Sequence, residues 1–157
     1  MGGSAGSTAT IATTHDLRAD VLAQLVRLAP VLEHLRAEGL RKRRLTRPRA
    51  RLLRVLADGG PLVMCDISRA LDVTPRAVTG LVDGLEADGL VRRVDHPSDR
   101  RATIIELTPL GRRLCREMRE GLNRFADELL AGVTRDDLAA SLRVLDRCQA
   151  AFETRAD

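Results

Sequence analysis

From Asp16 to about Glu38 apolar residues recur every three or four positions, at Leu17, Val21, Leu25, Leu28, Leu32 and Leu35. That spacing predicts an amphipathic helix. Pro30 falls inside it and predicts a kink or a split, and Gly39 predicts its end. Arg41 to Arg54 then carries eight bases and no acid. The second half of this run, Pro48 to Ala57, predicts a helix with Leu52, Leu53, Val55 and Leu56 turned to a core. Asp58-Gly59-Gly60-Pro61 is a strong break. Ile67, Ala70 and Leu71 mark a short helix ended at Asp72-Val73. Thr74-Pro75 reads as an N-cap followed by proline at the first helical position. The helix it opens runs to Asp88, with Gly89 placed to take the left-handed C′ position. Two helices joined by a tight turn within residues 65–89 form a helix-turn-helix.

Val91 to Asp95 and Ala102 to Leu107 are β-branched or alternating runs that predict two short strands. The polar turn His96-Pro97-Ser98-Asp99-Arg100-Arg101 joins them, and a basic-tipped hairpin after a helix-turn-helix is a wing. Thr108-Pro109 repeats the cap signal and opens a long helix with Leu110, Leu114, Met118, Leu122, Phe125 and Leu129 on one stripe. Thr134, with Asp136 and Asp137 in the first turn, opens a last helix carrying Leu138, Leu142, Leu145 and Phe152. The fold class is therefore mainly α with a small β-wing (α+β).

Charge changes this picture more than length does. The 157 residues carry a net +4, but residues 1–40 carry −1, residues 41–119 carry +8 and residues 120–157 carry −3. The positive charge thus lies on the helix-turn-helix and wing, as expected of a nucleic-acid face. All bases but Lys42 are arginine, which forks onto phosphate or guanine. The chain has no Trp, no Tyr and two Phe, which argues against single-strand readers that stack bases on rings. Residues 1–14 are small and polar and predict a disordered tail, without the apolar core of a secretory signal. No apolar run is long enough for a membrane span.

On the second helix of the motif, Val78, Leu81, Val82 and Leu85 share the inward face. Arg76, Gly80, Asp83 and Ala87 lie opposite, with Thr79 at the edge. Arg76, in the first turn, is placed to fork onto guanine, worth ~1–3 kcal/mol of discrimination. Thr74 and Thr79 are placed for phosphate or a thymine methyl. Asp83 either accepts from cytosine or pairs with a nearby arginine. At the wing tip Arg100 and Arg101 suit a narrow minor groove, and Asp99 beside them suits orienting an arginine.

The stretch VTPRAVTGLVDGLEADGLVRRVDHPSDRRATIIELTPLGRRL resembles the MarR family of bacterial winged-helix transcription regulators. Asp99-Arg100-Arg101 and the Leu-Thr-Pro-x-Gly pattern of Leu107 to Gly111 carry the likeness, within Leu45 to Leu114. The resemblance implies a homodimer whose first, fifth and sixth helices interlock. It divides the chain into a tail (1–14), an N-terminal dimerisation helix (15–40), a winged DNA-binding domain (41–108) and C-terminal dimerisation helices (109–157). It implies a pseudo-palindromic double-stranded DNA operator, with repression as the expected outcome. Contacts are implied for Thr74, Pro75, Arg76, Ala77 and Thr79, with Arg101 entering the minor groove, Asp99 bracing it and Arg100 beside them. Two departures stand out. Gly80 and Gly84 occupy positions where family members often carry bases, so either this helix approaches the groove closely or base readout is thin. Asp66 stands in for the usual Ser or Thr cap of the first motif helix.

The resemblance also implies release by a small phenolic or lipophilic effector held between the dimer helices and the winged domain. His34 or the basic run 41–47 either lines such a pocket or is solvated surface, and with few rings the pocket would be aliphatic. Cys65, with Arg69 one turn away, is the one thiol near the reading unit, while Cys115 and Cys148 suit core positions. The dispersed His15, His34 and His96 make no metal site, and no cofactor is implied. No phosphate loop or nucleophile elbow points to an enzyme. The cytoplasm is the expected location. The alternative is a winged-helix protein-interaction module that has lost specific DNA binding, for which Gly80 and Gly84 speak.

Overall fold

The computed structural model describes residues 14–99 and 102–156, with the side chains of residues 14–16 and 155–156 outside the description. The tail assigned to residues 1–14 thus lies outside it except for Thr14, and the wing arginines Arg100 and Arg101 lie outside it altogether. The elements in order are α1 (Thr14–Lys42), α2 (Arg47–Gly59), β1 (Leu62–Val63), α3 (Met64–Leu71), α4 (Pro75–Ala87), β2 (Val91–Asp95), β3 (Thr103–Leu107), α5 (Pro109–Leu129) and α6 (Arg135–Ala156). No helix among the described residues is long and apolar enough to cross a membrane.

Four expectations are corrected. Pro30 does not split α1, which runs on through it, because one missing rung is carried by the turns on either side of a long helix. Gly39 is not the stop. α1 runs on to Lys42 and closes with Leu45 N–H donating to Leu40 O and Arg44 N–H to Arg41 O, both at 3.0 Å. This is a Schellman turn, with Arg44 rather than glycine in the left-handed position at φ 55°. Leu40 and Leu45 are both buried, and the apolar pair they form across the turn sets where the helix ends. Asp66 does not cap α3. Val63 holds the N-cap position without a side-chain bond, and Asp66 sits in the first turn, paired with Arg69. The two expected wing strands form, and a third joins them. β1, too short to show any periodicity, pairs Leu62 with Ile105 and Val63 with Ile104, giving an antiparallel sheet of order β1-β3-β2. β3 itself starts at Thr103, since Ala102 N–H is used in the turn by Asp99 O.

The same closing turn recurs at α3, with Asp72 left-handed (φ 52°), and at α4, with Gly89 (φ 67°). A left-handed residue other than glycine costs roughly 1 kcal/mol. Arg44→Gly should therefore raise the unfolding free energy by about 1 kcal/mol in a urea titration, and a loss of stability would refute this account of the turn.

The core is formed by residues 40–107. Leu52, Leu53 and Leu56 of α2, Ile67 and Leu71 of α3, Val78, Val82 and Leu85 of α4, and Val91, Ile105 and Leu107 of the sheet are buried together. α5 reaches this core through Leu114, Cys115 and Met118 near its start. Beyond that, most large apolar residues of the long helices stand in the open, Leu25 and Leu138 being half-buried. On α1 they are Leu17, Val21, Leu22, Val26, Leu28, Val31, Leu32 and Leu35. Leu122 is 66% exposed on α5 and Phe152 63% on α6.

Candidate nucleic-acid interface

The loop before α4 delivers the first site residues. Thr74 is the N-cap, its hydroxyl oxygen accepting from Ala77 N–H at 3.3 Å, and Pro75 follows at the first helical position. Arg76 stands exposed in the first turn, with Pro75, Ala77 and Thr79 exposed around it. Thr79 donates its hydroxyl proton to Pro75 O at 3.1 Å. As held, Thr79 has no proton for a phosphate and offers its methyl, whereas the Thr74 hydroxyl still has a proton to donate.

The two faces of α4 fall as the periodicity predicts, with Val78, Val82 and Leu85 buried and Arg76, Gly80, Asp83 and Ala87 exposed. The alternatives left open for Asp83 resolve to pairing. Arg93 Nη2 donates to Asp83 Oδ1 at 2.6 Å, and Nη1 pairs with Glu86. Arg93 N–H also donates to Glu86 Oε1 at 3.2 Å. The bond to Asp83 foremost, with Glu86 adding, holds the guanidinium's pKa above its ordinary value despite some desolvation. The base of the wing is thereby tied to the recognition helix. Sequence reasoning offered Asp83 a nearby arginine as one alternative but did not find which, because Arg93 looks like any strand base until the strand is laid beside α4.

The two glycines differ. Around Gly80 an added Cβ would meet nothing within 4 Å, so this outward position is open to a ligand. Gly84 is covered by the Arg49 guanidinium, which comes from α2 and pairs with Asp88 at 3.0 Å. Arg51, also from α2, donates to Leu71 O at 2.8 Å and Ala70 O at 3.3 Å, capping the end of α3.

At the wing, β2 and β3 pair from Val91↔Leu107 to Asp95↔Thr103. The turn is organised by His96, a residue that sequence reasoning set aside. Its Nδ1 accepts from Ser98 N–H at 3.3 Å and Asp99 N–H at 3.1 Å. Asp99 is exposed at this tip. The side chains of Arg100 and Arg101, expected beside it, are outside the described residues, so the tip is described only as far as Asp99.

Where α5 leaves the sheet, Thr108 caps the helix by accepting from Gly111 N–H at 3.0 Å. Its hydroxyl donates to Gly89 O at 2.6 Å, and its N–H donates to Leu90 O at 3.1 Å. A Cβ on Gly111 would overlap Leu90 O. The Thr-Pro-x-Gly spacing is thus a cap, a helix start and a close approach in one turn. Nearby, an open cavity of about 340 Å³ lies between the end of α2, β3 and α5, with Leu56, Pro61, Leu107 and Cys115 on its apolar side and Arg112 and Arg116 on its polar side. Burial pushes the Cys115 thiol up, against a smaller opposing effect of Arg119. Cys65 is exposed, its sulfur 3.7 Å from Asp66 Oδ1. Among the described residues no cluster of His, Cys, Asp and Glu has the makings of a metal site.

Comparison with known proteins bears on this geometry. Residues 45–102 match the family model described as "MarR family". The chain is 29% identical over 103 residues to the uncharacterised HTH-type transcriptional regulator YdgJ of Bacillus subtilis, covering 66% of this chain and 63% of that protein. It is 25% identical to the HTH-type transcriptional repressor MdtR of Bacillus subtilis, over 88% of this chain and 89% of MdtR. Among solved structures, YusO of Bacillus subtilis superposes with a TM-score of 0.76 at 24% identity, over 88% of this chain and 99% of YusO. FabT of Streptococcus pneumoniae, solved in complex with DNA, superposes with a TM-score of 0.70 at 21% identity, over 89% and 98%.

Proposed function

Proceeding from the chain's membership of the MarR family of winged-helix transcriptional regulators, we propose that it is a dimeric repressor that binds a pseudo-palindromic duplex operator and is released by a small molecule. The observation that carries the reading is the open first turn of α4. Arg76 stands there exposed and without a pairing partner among the described residues, one turn from an exposed Gly80. Arg76 is assigned to a guanine, Thr74, Pro75, Ala77 and Thr79 to phosphate and thymine contacts, and Arg101, braced by Asp99 and flanked by Arg100, to the minor groove. Residues 41–108 form the DNA-binding domain in this reading, and residues 15–40 and 109–157 form the dimerisation region. The exposed stripes on α1, α5 and α6 support a second copy as their cover. FabT, with its DNA, supports duplex DNA as the partner, and MdtR supports repression as the outcome.

The cavity beside Cys115 supports the effector. Its lining holds no aromatic ring and carries Arg112, Arg116 and Arg119 against one carboxylate, Glu106, itself paired with Arg92, which suits an aliphatic or lipophilic molecule with one acidic group facing Arg112 or Arg116. The interaction-module alternative keeps only Gly80, because Gly84 has a packing reason.

The test is selection of duplexes from a random pool by the purified protein. An enriched two-fold symmetric sequence, with half-sites about 10 bp apart, is expected, bound with a steep loss on raising salt. Arg76→Ala should cost about tenfold and relax discrimination at one base pair. Absence of any enriched duplex would sink the reading.

A further inference from the structure

The recognition helix is itself acidic. Between Pro75 and Asp88 the one base, Arg76, stands against Asp83, Glu86 and Asp88. Those three carboxylates are met by two arginines from other elements. At 100° per residue, Gly84 and Asp88 lie on the flank of α4 that faces α2, and Glu86 lies on the flank that faces the wing. Arg93 holds the wing flank. Arg49 holds the other. Its side chain is only 20% exposed, and it pairs with Asp88. Its guanidinium lies so close over Gly84 that a Cβ there would overlap Nη2 and stand 3.0 Å from both Cζ and Nε. A planar guanidinium lies flat on a glycine, whereas the compact ammonium of lysine has no plane to lay down.

We propose that Arg49 is a positioning residue for DNA reading. Seated on Gly84 and paired with Asp88, it sets the depth and angle of α4 against α2, opposite the hold of Arg93. Gly84 is glycine to provide that seat, and Arg49 acts through α4 rather than on DNA. The inference rests on α4 being the DNA-facing helix.

Wild type, Gly84→Ala, Arg49→Ala, their double variant and Arg49→Lys are compared on two duplexes. One is enriched by the wild type from a random pool and the other is an unrelated sequence of equal length, each measured over a salt series with thermal midpoints alongside. Gly84→Ala should keep or raise the midpoint, since alanine is the better helix former, yet bind the enriched duplex about tenfold more weakly. Binding to the unrelated duplex and the salt slope should stay unchanged. The double variant should bind no worse than Arg49→Ala alone, because both changes remove one seat. Arg49→Lys should recover only part of the loss. Wild-type binding by Gly84→Ala, additive losses, or a salt slope reduced by about one on removing Arg49 (the sign of a phosphate contact) would each overturn the proposal. Should Gly84→Ala fail to fold, the Arg49 variants decide: loss confined to the enriched duplex supports the seat, and equal loss on both overturns it. If no duplex is enriched at all, the DNA reading falls and takes this inference with it.

Discussion

Leu122→Glu should split the proposed dimer into single chains and lower affinity for a two-half-site duplex by at least about 100-fold, since the second half-site then adds nothing. Leu122 is two-thirds exposed in the single chain, so the change leaves the winged core untouched. Within a dimer it would set a carboxylate in a packed apolar seam without a partner, which costs several kcal/mol. The sign of the effect thus separates the two cases. The eight exposed apolar residues of α1 show what is at stake, because burying each one is worth about 1.5–3 kcal/mol. Sedimentation should give half the wild-type mass, and the thermal midpoint of the variant should stop depending on protein concentration. A wild type that already sediments as a single chain would refute the assembly.

Gly111→Ala should be the most damaging single methyl in the winged unit. Its Cβ would meet a backbone carbonyl, that of Leu90, and not the movable end of a side chain. That carbonyl is pinned in turn, accepting from Thr108 N–H at 3.1 Å. With no atom free to yield, overpacking at the upper end of its usual range is expected, about 3 kcal/mol. For a chain of this size that lowers the melting temperature by roughly 10 °C. Calorimetry within a degree or two of wild type would show that the junction gives way more easily than the geometry implies.

Legibility in the sequence followed how local each signal was. The caps at Thr74 and Thr108 were plain, because a hydroxyl and the N–H three residues on belong to one turn. The buried face of α4 was plain because helical periodicity displays it. β1 was not, since two residues carry no period and exist as a strand only through Ile104 and Ile105. The end of α1 was misread for a similar reason. The local stop signal, Gly39, yielded to a pair of leucines that find each other only once the turn forms. At the interface, the reading singled out the positions that stand open, Arg76 and Gly80, and flagged Gly84 and Asp83 as odd. It could not find why they were odd, because Arg49 and Arg93 reach them across the fold. Arginines counted as one basic run divide by tertiary contact into those that hold the helices, such as Arg49 and Arg51, and those such as Arg76 that stay available.

In a cell, the exposed stripes on the long helices make abundance an input. In the proposed dimer, whose seam those stripes would form, the amount of competent regulator rises with the square of the chain concentration until the dimer saturates. Below that point, halving gene dosage would remove more than half of the proposed dimeric form. A promoter controlled by such a protein therefore opens with a sharper dependence on its copy number than one molecule acting alone would give, before any effector enters.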